Sequence, residues 1–401
     1  MRILHVLTAF PRSSDDVIVP WLVELLKHLR AAGHEVEVLT SAYRGGGNRE
    51  FAGIPVHRFR YFPARWEDLT HDEAAPDRLR RSLVARVMPA FYVLGGLWAA
   101  WRLGRRRPPY DIVHVHWPVP HALFGWAVRR ASGSRTRMVT TWYGAELRWV
   151  KGSLPWLRRF VAWALATSDE VVAISAHTAG EIAAFRPVEA RVIPYTVGFG
   201  APEPGDTRSH QKNSLVVLFV GRLVERKGVR HLIDAMRRLP ASRHARLVVI
   251  GDGPERAALE DQARRDGVAA QVEFRGRVTG EDLKRAYAGA DVFVLPAIVD
   301  ARGDTEGLGV VLLEAMTYGV PVIGSDLGGI TDIVTNGETG LLVPPGDAAT
   351  LAAAIERLAG DPALAARLGK AGQRMVREEF SWSTIVARWE ECYAAAVQRG
   401  S

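Results

Sequence analysis

The chain has 401 residues, 48% hydrophobic and 24% charged, a globular composition that excludes general disorder and suggests roughly two or three domains. Its one cysteine, Cys392, excludes an internal disulfide framework or a cysteine-built zinc site and suits a reducing cytoplasm. The net charge of +8 is uneven: residues 1–200 hold 27 basic and 17 acidic side chains, residues 201–401 hold 25 and 27, so an anionic partner is expected at the front half, whether phosphate, acidic lipid or nucleic acid.

Strands and helices alternate from the first residue. Ile3–Leu7 reads as a buried strand. Trp21–Ala32 has apolar residues at helical spacing and meets the terminator Gly33. Val36–Leu39, Ile54–Phe59, Ile112–Val115, Met138–Thr141 and Glu170–Ile174 are further strands, with helical stretches between most of them. Gly198–Asn213, rich in Gly, Pro and polar residues, reads as a linker. The alternation then restarts with strand Leu215–Val220, helix Val229–Leu239, strand Arg246–Ile250, helix Pro254–Asp266 and strand Gln271–Phe274. Helix Gly280–Ala288, strand Val292–Leu295, helix Leu308–Tyr318 and strand Val320–Gly324 follow, and Phe380–Val397 reads as a last helix bearing Trp382 and Trp389. This pattern predicts two doubly wound, Rossmann-like α/β domains, 1–200 and 208–379, facing a cleft, with ligands beyond the carboxyl ends of the strands. The start, MRILHVLTAF, is too short for a signal peptide. The charge-free stretch Val87–Trp101 has 15 residues, fewer than the roughly 20 that span a bilayer. A cytoplasmic location is expected.

Two common chemistries drop out. Thr8-Ala9-Phe10-Pro11-Arg12 follows the first strand where a dinucleotide dehydrogenase would carry glycines, and the chain has no Gly-Lys-Ser/Thr P-loop. An Asp-x-Asp pair that would hold a divalent metal on a sugar nucleotide is also missing.

Other segments carry chemistry. In Gly221-Arg222-Leu223-Val224-Glu225-Arg226-Lys227-Gly228, two glycines bracket Arg222 and Lys227 at a strand's carboxyl end. A guanidinium fork and an ammonium point charge on one loop suit a diphosphate, against a merely solvated basic loop. In Glu306-Gly307-Leu308-Gly309-Val310, a glycine-containing loop enters a helix whose first N–H groups, near Gly309 and Val310, form an anion site. Glu306 precedes that helix and Glu314 lies one to two turns inside it. The pair would sit roughly 12 Å apart, which suits a sugar at one end of a diphosphate and a ribose at the other.

FVGRLVERKG and EGLGVVLLEAMTYGVPVIGSD, in this order, resemble the signature of glycosyltransferase family 4, and GDGPER, GRV and GETGLLVPPGD match it too. The resemblance covers nearly all of the chain and is most specific from Leu215 to Asp347. It implies the GT-B fold and a retaining transferase that uses a nucleotide-sugar donor and needs neither metal nor cofactor. It places Arg222, Lys227 and the backbone at Gly309 and Val310 on the donor diphosphate. Glu306 falls on the transferred sugar, Glu314 on the ribose, and the segment containing Arg277 and Val278 on the base. The last helix would pack back on the first domain.

The front half resembles the family with departures. His116, second of the pair in His114-Val115-His116, takes the family position at the donor phosphate and sugar, and His114, deeper in the strand, is expected to be a core residue. A zinc site on this pair lacks an evident third ligand. In MVTTWYGAE Tyr143 stands where the family usually has histidine and could hydrogen-bond or stack on a sugar; Glu146 keeps the acidic position, and both are acceptor-side candidates. Ser13-Ser14-Asp15-Asp16 stands where the family has a Gly-Gly loop; Asp15 and Asp16 are acceptor-side candidates, against a solvated loop.

Arg78–Arg107 holds eight arginines and no acidic residue, so it accounts for most of the charge asymmetry. Val87, Phe91, Leu94, Trp98 and Trp101 fall close to one helical face between the Arg clusters. That pattern suits a helix lying in an anionic membrane interface, with an internal helix as the alternative; Pro89 and Gly95-Gly96 could divide it into two. The expectation is a transferase in lipid-linked glycan, cell-envelope or polysaccharide synthesis, peripheral on the inner face of the cytoplasmic membrane. A glycan or lipid-linked acceptor is expected, and no nucleic acid. The alternatives are a GT-B-fold nucleotide-sugar epimerase and an inactive nucleotide-sugar-binding homologue.

Overall fold

A computed structural model describes all residues except 14–15, 17, 48, 71–82, 197–213 and 400–401, and within the helix that begins at Leu83 it leaves the side chains of 83–86 undescribed. Asp15, Arg78, Arg80, Arg81 and the linker therefore lie outside the described residues, as does the side chain of Arg86. The chain divides into two compact units: Met1–Ile174 with Thr178–Gly198 and Trp382–Ser401, and Ser175–His177 with Phe199–Ser381.

The strands of the first unit are β1 Arg2–Val6, β2 Glu35–Ser41, β3 Glu50–Phe51, β4 Ile54–Phe59, β5 Ile112–His116, β6 Arg137–Trp142, β7 Glu170–Ala173 and β8 Arg191–Val192. They lie in the order β3-β4-β2-β1-β5-β6-β7-β8, parallel except for β3 against β4. In the second unit β9 Val216–Val220, β10 Arg246–Ile250, β11 Val272–Gly276, β12 Val292–Leu295, β13 Val322–Ser325 and β14 Leu341–Val343 form a parallel sheet ordered β11-β10-β9-β12-β13-β14. Most of these strands are apolar runs because helices cover both faces of such sheets. Strand order reverses between β1 and β5 and between β9 and β12, so the loops leaving those strands border the crevices where doubly wound sheets bind ligands.

Sequence periodicity located the longer strands. It did not single out β3, β8 and β14, of two, two and three residues, or the helices Ala348–Gly360 and Pro362–Glu379. Both helices carry an aspartate at the N-cap: the Asp347 carboxylate accepts from the Ala349 and Thr350 N–H groups, and Asp361 accepts from Leu364.

Leu83–Gly104 is one helix, here α1, that runs through Pro89. Its glycines serve packing: a Cβ on Gly96 would collide with the Phe124 ring. Met88, Tyr92, Ala100 and Leu103 are buried against Phe59, Val115 and Phe124 in one core cluster. The last helix, α2 Trp382–Gln398, belongs to the first unit, where Ile385, Trp389, Cys392, Tyr393 and Ala396 pack with Ile3, Leu22 and Leu26. Fully buried side chains such as these contribute about 1.5–3 kcal/mol each, which fixes the helix to the sheet.

Candidate active site

In the second unit, the loop after β9 turns at Gly228, which has φ 66°, and a Cβ there would collide with the Pro296 carbonyl oxygen. The glycine therefore lets the loop after β9 lie against the loop after β12. That approach brings Lys227 to Glu306, with Nζ 2.5 Å from Oε2 and only 8% and 7% of the two residues exposed. Arg226 completes the cluster, 3.2 Å from the Glu306 carboxylate and 3.4 Å from Asp304. Burial alone pushes the Glu306 carboxyl up, but the Lys227 and Arg226 charges override it and hold it at about 2. Arg222 is exposed and has no partner among the described residues.

Gly309, with φ 89°, leads into helix α3, Val310–Thr317, whose first N–H groups lack intrahelical acceptors. Glu314 lies in its second turn. The buried Tyr287 hydroxyl donates to the Glu314 carboxylate, and burial raises that carboxyl to about 7 against the opposing pull of Tyr287 and Lys227. Arg277 is exposed after β11, and Val278 lines a groove with Val248, Phe274 and Ala286.

In the first unit, His114 and His116 are fully buried and their rings stack 4.0 Å apart. His114 is the expected core residue, bonded to Tyr393 Oη at 2.9 Å and Thr141 Oγ1 at 2.7 Å. The His116 ring exposes no surface of its own. Its Nδ1 meets the Tyr143 hydroxyl at 2.8 Å and its Nε2 meets His5 Nδ1 at 3.1 Å. His116 therefore stands behind Tyr143, which packs against Trp117 at 4.4 Å and Trp21 at 5.4 Å. Glu146 accepts the Tyr143 N–H at 2.9 Å, its second oxygen is buried without a hydrogen-bond partner, and burial raises its carboxyl to about 7. The Asp16 carboxylate folds back onto Arg12, with Nε at 2.5 Å, so its surroundings are those of a loop ion pair.

His5 supplies the third histidine that the sequence left unidentified, and ligand atoms of His5, His114 and His116 lie within 4.8 Å of one another. Five of the six ring nitrogens have hydrogen-bonding partners and only His5 Nε2 has none.

The structure thus gathers Lys227, Glu306 and Glu314 at the β9 and β12 strand ends, and His116, Tyr143 and Glu146 at those of β5 and β6. Sequence reasoning missed Arg226, Tyr287 and His5. Arg226 was legible as the neighbour of Lys227, but Tyr287 and His5 reach their partners only through the tertiary fold.

Residues 206–375 match the family model for glycosyl transferases group 1, and residues 19–196 match that for the glycosyl transferase 4-like domain. The chain is 30% identical to a glycogen synthase of Mycobacterium tuberculosis, over 99% of its own length and 95% of that protein's. It is 32% identical to a GDP-mannose-dependent alpha-(1-6)-phosphatidylinositol monomannoside mannosyltransferase of Mycolicibacterium smegmatis, over 84% and 90% of the two chains. Among solved structures, HepE of Anabaena in complex with UDP matches with a TM-score of 0.75 at 22% identity, over 98% of this chain and 100% of that one. With both halves matched by glycosyltransferase models and the doubly wound sheets of the GT-B fold in place, the chain belongs to glycosyltransferase family 4 and is a glycosyltransferase.

Proposed function

We propose that this glycosyltransferase moves a sugar from a nucleotide-sugar donor onto a glycan or lipid-linked acceptor in lipid-linked glycan, cell-envelope or polysaccharide synthesis. In this reading it retains the anomeric configuration and uses no divalent metal. One observation carries the reading: the loop bearing the exposed Arg222 also brings Lys227 onto buried Glu306, a few residues before the start of α3. As the glycosidic bond breaks, negative charge grows on the leaving diphosphate. Arg222, Lys227 and the N–H groups at Val310 stabilise that charge, as a metal does in other transferases. Glu306 stays ionised and receives hydroxyls of the transferred sugar, while Glu314 receives those of the ribose. Arg277 and Val278 lie along the base. Retention follows from attack on the face the leaving group departs from, with the departing phosphate taking the acceptor's proton. Both curated relatives named above carry transferase or synthase names, one of them specifying a GDP-mannose donor.

The acceptor side is proposed to work at the inner face of the cytoplasmic membrane. Helix α1 leaves Val87, Phe91, Leu94, Trp98 and Trp101 between 42% and 63% exposed along one stripe, while its opposite side is core. Arg102 sits over the Trp98 ring at 4.5 Å, and Arg105, Arg106 and Arg107 are exposed at the helix end. An apolar stripe with a cationic end suits an anionic leaflet. No described helix is long and apolar enough to cross a membrane.

Turnover of sugar-labelled UDP, GDP and ADP conjugates with a crude lipid extract, with and without EDTA, tests this function. Transfer from one donor regardless of EDTA supports it. Epimerisation or hydrolysis without transfer overturns it, and loss of transfer in EDTA overturns metal independence.

A further inference from the structure

His5 lies on β1 opposite His114 in the β1–β5 register, and its ring is fully buried. Its Nδ1 is 3.1 Å from His116 Nε2, and His116 Nδ1 is 2.8 Å from the Tyr143 hydroxyl, so the three side chains form one hydrogen-bonded chain. The far atom, His5 Nε2, is buried without a hydrogen-bond partner. Neither histidine exposes any surface, whereas Tyr143 keeps 9%.

A proton count gives the chain its direction. Burial holds both imidazoles below their ordinary range, His5 at about 3, and pushes the Tyr143 phenol up, so all three groups are neutral. Each then carries a single donor hydrogen, three donors for two bonds. One donor is left over. If the chain runs inward from Tyr143, the leftover is the His5 Nε2–H, sealed in the core with nothing to accept it. If it runs outward, the leftover is the Tyr143 O–H, on the one member that keeps exposed surface. Either direction leaves His5 Nε2 without a partner, as an N–H in the inward run and as a bare lone pair in the outward one, and an orphaned buried N–H is the rarer of the two.

We infer that His5 is a positioning residue: it donates to His116 Nε2, holds His116 as its Nδ1–H tautomer, and leaves the Tyr143 hydroxyl hydrogen free for an oxygen of the bound substrate. Trp117, stacked on Tyr143, and Trp389, 4.6 Å from His114, hold the rings in place. The inference rests on the family position of His116 beside the donor phosphate and sugar, with Tyr143 standing in front of it. It goes further in making Tyr143 a donor whose direction is set from the core.

Nitrogen NMR of histidine-labelled full-length protein reads the tautomer directly, and His116 is expected to carry its proton on Nδ1. Two variants then separate positioning from packing. His5→Asn keeps an N–H where Nδ1 lies. His5→Gln puts its amide nearer the Nε2 position and loses the bond to His116. Turnover is expected to fall at least about tenfold in His5→Gln with donor KM within about twofold, and to stay within about threefold in His5→Asn. A packing role alone predicts equal losses, since both bury an amide in the same space. His116→Gln, assayed alongside, tests the underlying placement: full turnover there removes the substrate reading and this inference with it. An impaired His116→Gln together with indistinguishable His5 variants, or an Nε2–H His116 in the wild type, overturns the inference about His5 alone.

Discussion

Lys227 Nζ lies 2.5 Å from Glu306 Oε2, so two side chains expected at different parts of the donor are each other's closest ionic partner among the described residues. The pair is nearly sealed from solvent, and Arg226 donates to the same carboxylate at 3.2 Å. In the proposed function, binding an anionic donor means sharing the Lys227 charge between Glu306 and a phosphate.

That sharing separates the two cations of the loop. Lys227→Ala leaves Glu306 buried with Arg226 as its remaining cation and is expected to cost about 1–3 kcal/mol of stability as well as diphosphate affinity. Arg222→Ala removes an exposed cation that has no partner among the described residues and is expected to weaken diphosphate binding about tenfold with little change in Tm. Calorimetric affinities and thermal unfolding of both variants check this. Unchanged affinity in both would remove the loop from the donor site.

Glu306→Gln is expected to lose far more turnover than Glu314→Gln. Glu306 is kept ionised and Glu314 sits a turn into α3; in the proposed function the first receives the transferred sugar and the second the remote ribose. Remote contacts also feed catalysis, so the expectation concerns rank. Steady-state rates in the opposite order would reverse the two assignments.

Glu146 gives a pH dependence with a definite sign. Burial raises its carboxyl from the ordinary 4.5 to about 7, so the folded state holds the proton more tightly than the unfolded chain. Ionisation then opposes folding, and stability is lost as pH rises from 4.5 towards 7, by up to about 3 kcal/mol. Glu146→Gln cannot ionise, so its Tm relative to wild type is expected to rise between pH 5 and pH 8. A difference that does not change with pH would mean that the carboxyl titrates normally.

Membrane attachment through α1 is expected to depend on both halves of the pattern. The wild type should co-sediment with anionic vesicles at low salt, less so at high salt, and weakly with neutral ones. Each arginine near the leaflet is worth about 1 kcal/mol, so changing Arg105, Arg106 and Arg107 to Glu should abolish binding. Trp98→Ser should weaken binding even with the arginines intact. A wild type that ignores anionic vesicles at low salt points to a soluble acceptor instead.

The sequence by itself determined much of this protein, because the signals involved are local. Apolar runs between helical stretches marked β1, β5, β9, β10 and β12 to within a residue or so, and glycine-bracketed charges marked the loop after β9. Both kinds of signal depend on neighbours along the chain. The stripe from Val87 to Trp101 was equally readable at helical spacing, although only packing decided that Pro89 does not divide the helix and that Gly96 is there to admit Phe124. Partnership across the fold left no such trace. Nothing near Glu306 announces that Lys227, almost eighty positions earlier, neutralises it, and nothing near Tyr287 points to Glu314. His5 looks like any strand residue until the parallel register of β1 and β5 sets it beside His114 and within reach of His116. Tertiary structure decided these relations because parallel strands are joined by long crossovers. Residues a few ångströms apart in the sheet are then distant in sequence, and their charges and protons are settled by burial that no local pattern records.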